Sequence, residues 1–186
     1  NADLSAGGEF KIGTAAGNWD AIFFRPAVDQ TAEGSDLDVD KWAGDPDYKW
    51  NITGGVYKIK LDARDMKIDI VPFTPFTMIY LVGDATPNGW DIGNATTMTA
   101  TADPYKFTWT GTLNTGELKF TCDKQDDWNG AWFLASEADK TPTGQEEQML
   151  YNYPGAGVDY KWRITEAGTY QIELDQLKET VTIKKQ

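Results

Sequence analysis

A repeated tetrapeptide constrains this chain more than any other feature. The sequence Asp-Tyr-Lys-Trp at residues 47–50 recurs at residues 159–162, and each copy continues into X-Ile-Thr and a strand that begins at glycine. Further matched pairs precede both copies: Leu4 and Leu113, Gly8 and Gly116, Lys11 and Lys119, Trp19 and Trp128, Asp29 and Asp139. The offset stays between 108 and 113 residues throughout, so the chain contains two copies of one module that differ by short loop insertions.

The two copies differ in length. Leu113 follows Met78 by 35 residues, whereas its counterpart Leu4 has only three residues before it, so we expect about 32 residues of the first copy to be missing. Residues 1–72 are predicted to be the C-terminal part of a first module, and residues 73–186 a complete second module. Two prolines stiffen the connector at residues 72–76.

Short segments of alternating polar and apolar residues dominate both copies. Strands are predicted at 9–12, 22–24, 49–52, 56–62 and 67–71 in the first copy, and at 78–82, 106–113, 117–122, 169–175 and 179–184 in the second. No segment keeps helical spacing over three turns. The sequence therefore predicts an all-β protein of tandem immunoglobulin-like β-sandwich modules, the first truncated at its N-terminus.

Two long polar segments, residues 27–47 and 136–159, separate the middle strands of the copies, and we interpret both as loops. Residues 36–42 of the first, Asp-Leu-Asp-Val-Asp-Lys-Trp, resemble the start of a calcium-binding EF-hand loop. However, Lys41 stands where that loop needs glycine, and Asp47 where it needs glutamate. We therefore interpret residues 36–42 as a solvated acidic loop and expect no metal site.

Composition excludes several classes of function. The formal charge of −12 repels nucleic acid and anionic lipid, and no apolar run approaches the ~20 residues of a membrane span. The chain has no histidine, the commonest general base and zinc ligand. Its one cysteine, Cys122, lies in a predicted strand and is expected to be a buried apolar side chain. We expect no catalytic residue and no cofactor.

Aromatic residues on polar loops indicate a binding surface instead. Trp90 follows a Pro- and Gly-containing turn that is expected to lift it outward, and Trp128 and Trp132 flank an Asn-Gly pair. Indole faces beside Asn, Asp and Lys are typical of a sugar site, because a pyranose ring stacks its C–H face while its hydroxyls need hydrogen bonds. Trp90 and Trp128 could instead belong to the core, and Trp132 could be either. Two strand residues, Trp109 and Trp162, are predicted to be buried.

Three segments resemble a known family. Residues 79–91, Ile-Tyr-Leu-Val-Gly-Asp-Ala-Thr-Pro-Asn-Gly-Trp-Asp, then 116–120 and 168–175, are similar to the SusE/SusF outer-membrane glycan-binding lipoproteins of Bacteroidetes. The resemblance covers the second copy and what is present of the first. It implies tandem starch-binding modules without catalysis, at the cell surface, with a lipid anchor on the full-length precursor.

The resemblance also implies a site. Starch sites of this family use an arc of two aromatic residues with Lys or Arg and amide side chains. The matching positions are Trp90, then Trp128 or Trp132, with Lys124 and Asn129. The first copy has Trp19 at the second aromatic position and nothing at the first, so its site is expected to be incomplete.

Non-catalytic binding of starch or a related α-glucan is therefore the leading function, within a glycan-uptake system whose other outer-membrane proteins are possible partners. A structural or adhesive β-sandwich is an alternative, since aromatic surfaces also bind proteins. A glycoside hydrolase is a weaker alternative. It needs two carboxylates across a cleft, and no such pair stands out among the 29 acidic residues.

Overall fold

The chain forms β-strands joined by turns and loops. A computed structural model describes residues 1–153 and 157–186, and these residues contain eighteen strands and no helix. Consequently, the described part of the chain offers no helix that could cross a membrane. Two compact units are present, residues 1–74 (unit 1) and residues 75–186 (unit 2). The all-β prediction is confirmed, and each unit is built of β-sandwich layers.

Unit 1 contains eight strands: β1 (Ala2–Leu4), β2 (Gly8–Phe10), β3 (Ile12–Gly13), β4 (Phe23–Pro26), β5 (Gly34–Trp42), β6 (Trp50–Ile52), β7 (Gly55–Asp62) and β8 (Lys67–Pro72). Six of them form a sheet in the order β1-β7-β8-β5-β4-β3, and β2 pairs with β6. All the paired strands are antiparallel.

Unit 2 contains ten strands: β9 (Tyr80–Val82), β10 (Thr96–Thr97), β11 (Thr99–Ala100), β12 (Lys106–Leu113), β13 (Gly116–Thr121), β14 (Trp132–Ala135), β15 (Glu146–Asn152), β16 (Trp162–Ile164), β17 (Gly168–Asp175) and β18 (Thr180–Lys185). Nine of them follow the order β10-β9-β13-β14-β15-β18-β17-β12-β11, and β16 pairs with β13.

The repeated tetrapeptide ends in a similarly paired tryptophan in each unit. Phe10 pairs with Trp50 in unit 1 as Leu118 pairs with Trp162 in unit 2. Both tryptophans of the repeated tetrapeptide are fully buried. Each also contacts a phenylalanine ring. Trp162 meets Phe120 edge-on with ring centroids 5.3 Å apart, and the ring centroids of Trp50 and Phe10 are 5.2 Å apart. The tetrapeptide therefore places the same core anchor in each unit.

Burial alternates along strands such as β8 and β18, whereas β14 and most of β13 are buried on both faces. Trp162 is buried as predicted, whereas Trp109 is only half-buried and packs at the edge of the main core. Its neighbour Gly111 lies under the indole, where a Cβ would stand 2.5 Å from a ring carbon. Cys122 is buried in the same core, as expected.

The prediction that residues 27–47 and 136–159 are loops is wrong. Each segment contains a strand, β5 and β15, that continues the sheet next to β4 and β14. In β5 the acidic side chains alternate with Leu37 and Val39, which face the core, so residues 36–42 are a strand with one solvated face. No group of residues in the described ranges could hold a metal ion. Residues 154–156 of the second segment lie outside the described residues.

Unit 2 has a second apolar cluster besides its main core. Phe133 belongs to the main core, whereas its strand neighbours Trp132 and Leu134 pack with Val82 and Ile92. Because successive side chains of a strand point to opposite faces, this second cluster lies on the outer face of β14. The candidate site is built on that face.

Candidate functional site

The loop that follows β9 holds Trp90 at the surface. Gly83 donates its N–H to the carbonyl of Gly89 at 2.9 Å, and Thr86 donates both its N–H and its hydroxyl to the carbonyl of Gly83. The φ angles are 138° at Gly83 and 63° at Gly89, values that side chains with a Cβ rarely adopt. These bonds close the loop on itself and leave Trp90 36% exposed.

A second tight loop, between β13 and β14, positions Trp128. Asp123 accepts the N–H of Ala131 at 2.9 Å, and Trp128 itself has a φ of 65°. The half-buried indole of Trp128 stacks on the buried indole of Trp132, with centroids 5.6 Å apart and planes 2° from parallel. Trp132 also donates its indole N–H to the carbonyl of Trp128 at 3.1 Å. Trp132 therefore supports Trp128 from below.

Trp90 and Trp128 lie next to each other although they come from different loops. Their ring centroids are 6.3 Å apart and their planes are inclined at 55°. Trp132 is only 2% exposed, although it lines the cavity beside Trp128, and its contact with sugar stays a prediction. The aromatic surface is an angled pair, Trp90 and Trp128, backed by a third indole.

Two lysines share one carboxylate beside these rings. Lys119 lies 2.7 Å from one oxygen of Asp159, and Lys161 lies 2.8 Å from the other. The ammonium of Lys119 is 3.8 Å from the centroid of the Trp132 ring, and that of Lys161 is 5.9 Å from the Trp90 ring. Asp159 therefore fixes two cationic donors against the aromatic surface.

Burial and hydrogen bonding shift the pKa values of Lys119 and Asp159. Burial lowers the pKa of Lys119, and the hydrogen bond and charge of Asp159 oppose that shift without cancelling it. Burial alone would raise the pKa of Asp159, but its hydrogen bonds with Lys119 and Lys161 outweigh it and lower the pKa below the usual range. Asp159 is therefore ionised near neutral pH.

A cavity of about 190 Å³ opens beside Trp128 and Asp159. Its lining combines indole surface, aliphatic groups and polar side chains: Lys119, Trp128, Trp132, Leu134, Asn152, Val158 and Asp159. Two larger cavities on unit 2, of about 350 and 310 Å³, are lined mainly by polar and charged side chains, and their aromatic residues, Tyr170 and Phe107, are buried. We assign the site by its chemistry to the smaller cavity.

The remaining two predicted residues lie at the margin. Lys124 donates to the carbonyl of Gly93 at 3.2 Å, and its ammonium lies 4.3 Å from the centroid of the Tyr80 ring. Asn129 is exposed and its backbone N–H is bound by Asp127. Neither lines the cavity, and Trp90 adjoins it only through its contact with Trp128. Their roles stay predictions.

Sequence reasoning missed Lys119, Asn152, Asp159 and Lys161. Three of these residues are part of the repeat itself, because Lys119 matches Lys11, while Asp159 and Lys161 are two of the four letters of the tetrapeptide. These three residues recur in both copies together with nearby tryptophans, and this shared recurrence could have identified them as site residues. Asn152 gave none, because it ends a strand in a segment that was interpreted as a loop.

Comparison with known families agrees with this chemistry. A family model described as SusF/SusE starch-specific carbohydrate-binding modules matches residues 78–184. The chain belongs to this family. No curated protein matches the chain. The family match covers the whole candidate site on unit 2 and begins after unit 1.

Proposed function

We propose that unit 2 binds a chain of starch glucose units across Trp90 and Trp128 and leaves the ligand chemically unchanged. The 55° inclination of the two rings carries the proposal. Each indole stacks on the C–H face of one sugar, so inclined rings fit a chain that curves from one sugar to the next. The helical α-glucans of starch curve in this way, whereas flat β-glucans need coplanar rings.

The polar residues beside the rings complete the site. Lys119 and Lys161 donate hydrogen bonds to sugar hydroxyls, and Asp159 accepts hydrogen bonds from sugar hydroxyls. The Asn152 amide can donate and accept. The ligand carries no charge, so these groups contribute hydrogen bonds and not ion pairs. Binding at the outer surface of the cell, with a lipid anchor, is part of the same proposal and is supported by the family alone. Surface labelling of intact cells tests it.

Hydrolysis of the ligand is disfavoured by the carboxylates of the site. A glycosidase needs one carboxyl group whose pKa is raised, so that it stays protonated and donates to the leaving group. Hydrogen bonds from the Asn94 side chain lower the pKa of Asp91, and the backbone N–H of Asn129 lowers that of Asp127. The pKa of Asp159 is lowered too. Incubation with soluble starch and an assay for new reducing ends checks this directly.

Replacing Trp90 tests the proposed site. Trp90→Ala should weaken binding of maltoheptaose, a linear starch oligosaccharide, roughly tenfold, because a lost stacking contact is worth about 1–1.5 kcal/mol. Thermal unfolding should change little, since Trp90 is exposed. Met78→Ala is the matched control, because Met78 is an equally exposed apolar residue of unit 2. Isothermal titration measures the binding of both variants. A Trp90→Ala variant that binds normally contradicts the proposal. A purely adhesive protein would not bind the sugar at all.

A further inference from the structure

Trp90 is exposed, so its orientation depends on the loop that carries it. Its ring meets that of Trp128 at an inclination of 55°. An exposed side chain moves among several rotamers unless its surroundings restrict it. The inclination of the two indoles therefore has to be maintained by the residues next to Trp90.

Three polar side chains around Trp90 are bonded to one another. Asn88 lies two residues before Trp90, and its side-chain amide donates to the carbonyl of Asn94 at 2.6 Å. Asn94 in turn donates its backbone N–H and its side-chain amide to the carboxylate of Asp91, at 3.2 and 2.7 Å. We call Asn88, Asp91 and Asn94 the brace. It connects the residues on both sides of Trp90.

The brace is tied to the sheet and to the second aromatic loop. Ile92 and Ala95, which alternate with its residues in the sequence, are buried in the second apolar cluster of unit 2. Lys124, from the loop that carries Trp128, donates to the carbonyl of Gly93 at 3.2 Å. The segment after Trp90 is thus fixed relative to the loop of Trp128.

Each member of the brace is exposed. A single exposed hydrogen bond contributes little net stability to a fold, because water replaces the lost partner. The bonds of the brace can nevertheless restrict the movement of the residues that they connect. Orientation of Trp90 and stability of unit 2 are therefore separable properties.

We propose that the brace sets the orientation of Trp90 and thereby the preference of the site for curved over flat glucans. This proposal rests on the function proposed for unit 2. Asn88 and Asn94 are positioning residues, which act on the sugar through the Trp90 ring. With the brace intact, the ring is ordered before the ligand arrives, and a curved chain stacks on it without the cost of ordering it. Without the brace, the ring also takes orientations that suit a flat chain.

Substitutions of the brace in the full chain test the proposal. Asn88→Ala should weaken binding of maltoheptaose roughly threefold to tenfold, which corresponds to the cost of ordering one free side chain. Binding of cellohexaose, a flat β-glucan oligosaccharide, should not weaken, so the ratio of the two Kd values should fall. Asn94→Ala should act in the same direction, because it removes the amide bond to Asp91. Asn114→Ala is the matched control, since Asn114 is an exposed asparagine in the turn between β12 and β13.

Two further measurements separate positioning from direct contact with sugar. In a Trp90→Ala background, Asn88→Ala should cause no further loss of binding, because a positioning residue acts only through the ring that it positions. Without ligand, the heteronuclear NOE of the Trp90 indole N–H should fall in Asn88→Ala, since the ring gains fast motion. Thermal unfolding of Asn88→Ala should match that of the wild type.

The outcomes distinguish this proposal from the function on which it rests. Unchanged binding of both glucans by Asn88→Ala overturns the role of the brace. Additive losses in the Trp90→Ala background also overturn it, because Asn88 then contacts the sugar itself. Equal losses for both glucans with a lowered Tm show a purely structural role and overturn it too. All three results leave the site on unit 2 intact, whereas a Trp90→Ala variant that binds maltoheptaose normally overturns that site and the brace's role in selectivity together.

Discussion

Two tryptophans that lie four residues apart have different roles in unit 2. Trp128 presents a half-exposed face, and Trp132 is buried beneath it. Trp132→Ala should destabilise unit 2 by about 3–5 kcal/mol, as truncation of a buried aromatic does. Trp128→Ala should cost much less stability and should weaken maltoheptaose binding roughly tenfold. Urea unfolding and titration of both variants measure the two effects.

Trp132→Phe provides the matched control, because unit 1 has Phe23 at this position. It should keep most of the stability and most of the binding. A Trp128→Ala variant as unstable as Trp132→Ala would mean that Trp128 belongs to the core, and its binding defect would then no longer identify a contact with sugar.

Asp159 makes the stability of unit 2 depend on pH in the acid range. Its pKa is lowered in the folded protein, because the hydrogen bonds with Lys119 and Lys161 outweigh the opposing effect of burial. Such a carboxyl group stabilises the fold fully above its unfolded pKa of about 4, and this contribution is lost as the pH falls through the folded pKa. The wild type should therefore exceed Asp159→Asn in Tm by a constant amount from pH 5.5 to 8.

Below about pH 4 that difference in Tm should shrink. Thermal unfolding of both proteins from pH 3 to 8 tests it, and a difference that grows on acidification would contradict the assigned contacts. Starch binding should be flat between about pH 5.5 and 8, since no histidine is present and the ligand is neutral.

The loop after β9 depends on a glycine that no other residue can replace. A Cβ at Gly83 would stand 2.1 Å from the carbonyl oxygen of Glu117 on β13, in addition to the strained φ. A Cβ at Gly89 would meet nothing within 4 Å. Gly83→Ala should therefore force β9 and β13 apart and destabilise unit 2 by more than 2 kcal/mol, on the order of a strongly overpacked site. Gly89→Ala should cost about 1–2 kcal/mol, from φ alone.

Urea unfolding ranks the two glycine variants, and equal losses would show that contact with β13 does not matter. Titration with maltoheptaose measures the effect of the two substitutions on binding. Both variants should bind maltoheptaose more weakly than the wild type, because the loop that carries Trp90 is closed by the bond between these glycines.

Strands were predictable where alternation had β-branched or aromatic residues to mark it, as in β12, β17 and β18. β5 was not predicted, because its exposed face is acidic. Asp36, Asp38 and Asp40 alternate with apolar residues, and this acidic segment was interpreted as a loop. The cross-strand partners that stabilise it, such as Lys67 at 2.8 Å from Asp38, are distant in the sequence. In the same way Trp90 could be named from its turn, but Asp159 becomes a site residue only once β13 carries Lys119 to it.

At the scale of the whole molecule, the site proposed on unit 2 should bind weakly. Two stacked rings and a few solvent-exposed hydrogen bonds should give a Kd of ~10 μM to 1 mM for maltoheptaose. Isothermal titration measures this constant, and a Kd below about 1 μM would contradict a site of two stacked rings.

Cys122 is the chain's one thiol, and it lies in the main core of unit 2 with 6% of its surface exposed. A thiol reagent can therefore react with the protein only when unit 2 opens. The rate of that reaction measures how often unit 2 opens. Unit 1 does not react in the same experiment, because it has no sulfhydryl group. Maltoheptaose bound to unit 2 should slow this reaction, since a bound ligand stabilises the closed state.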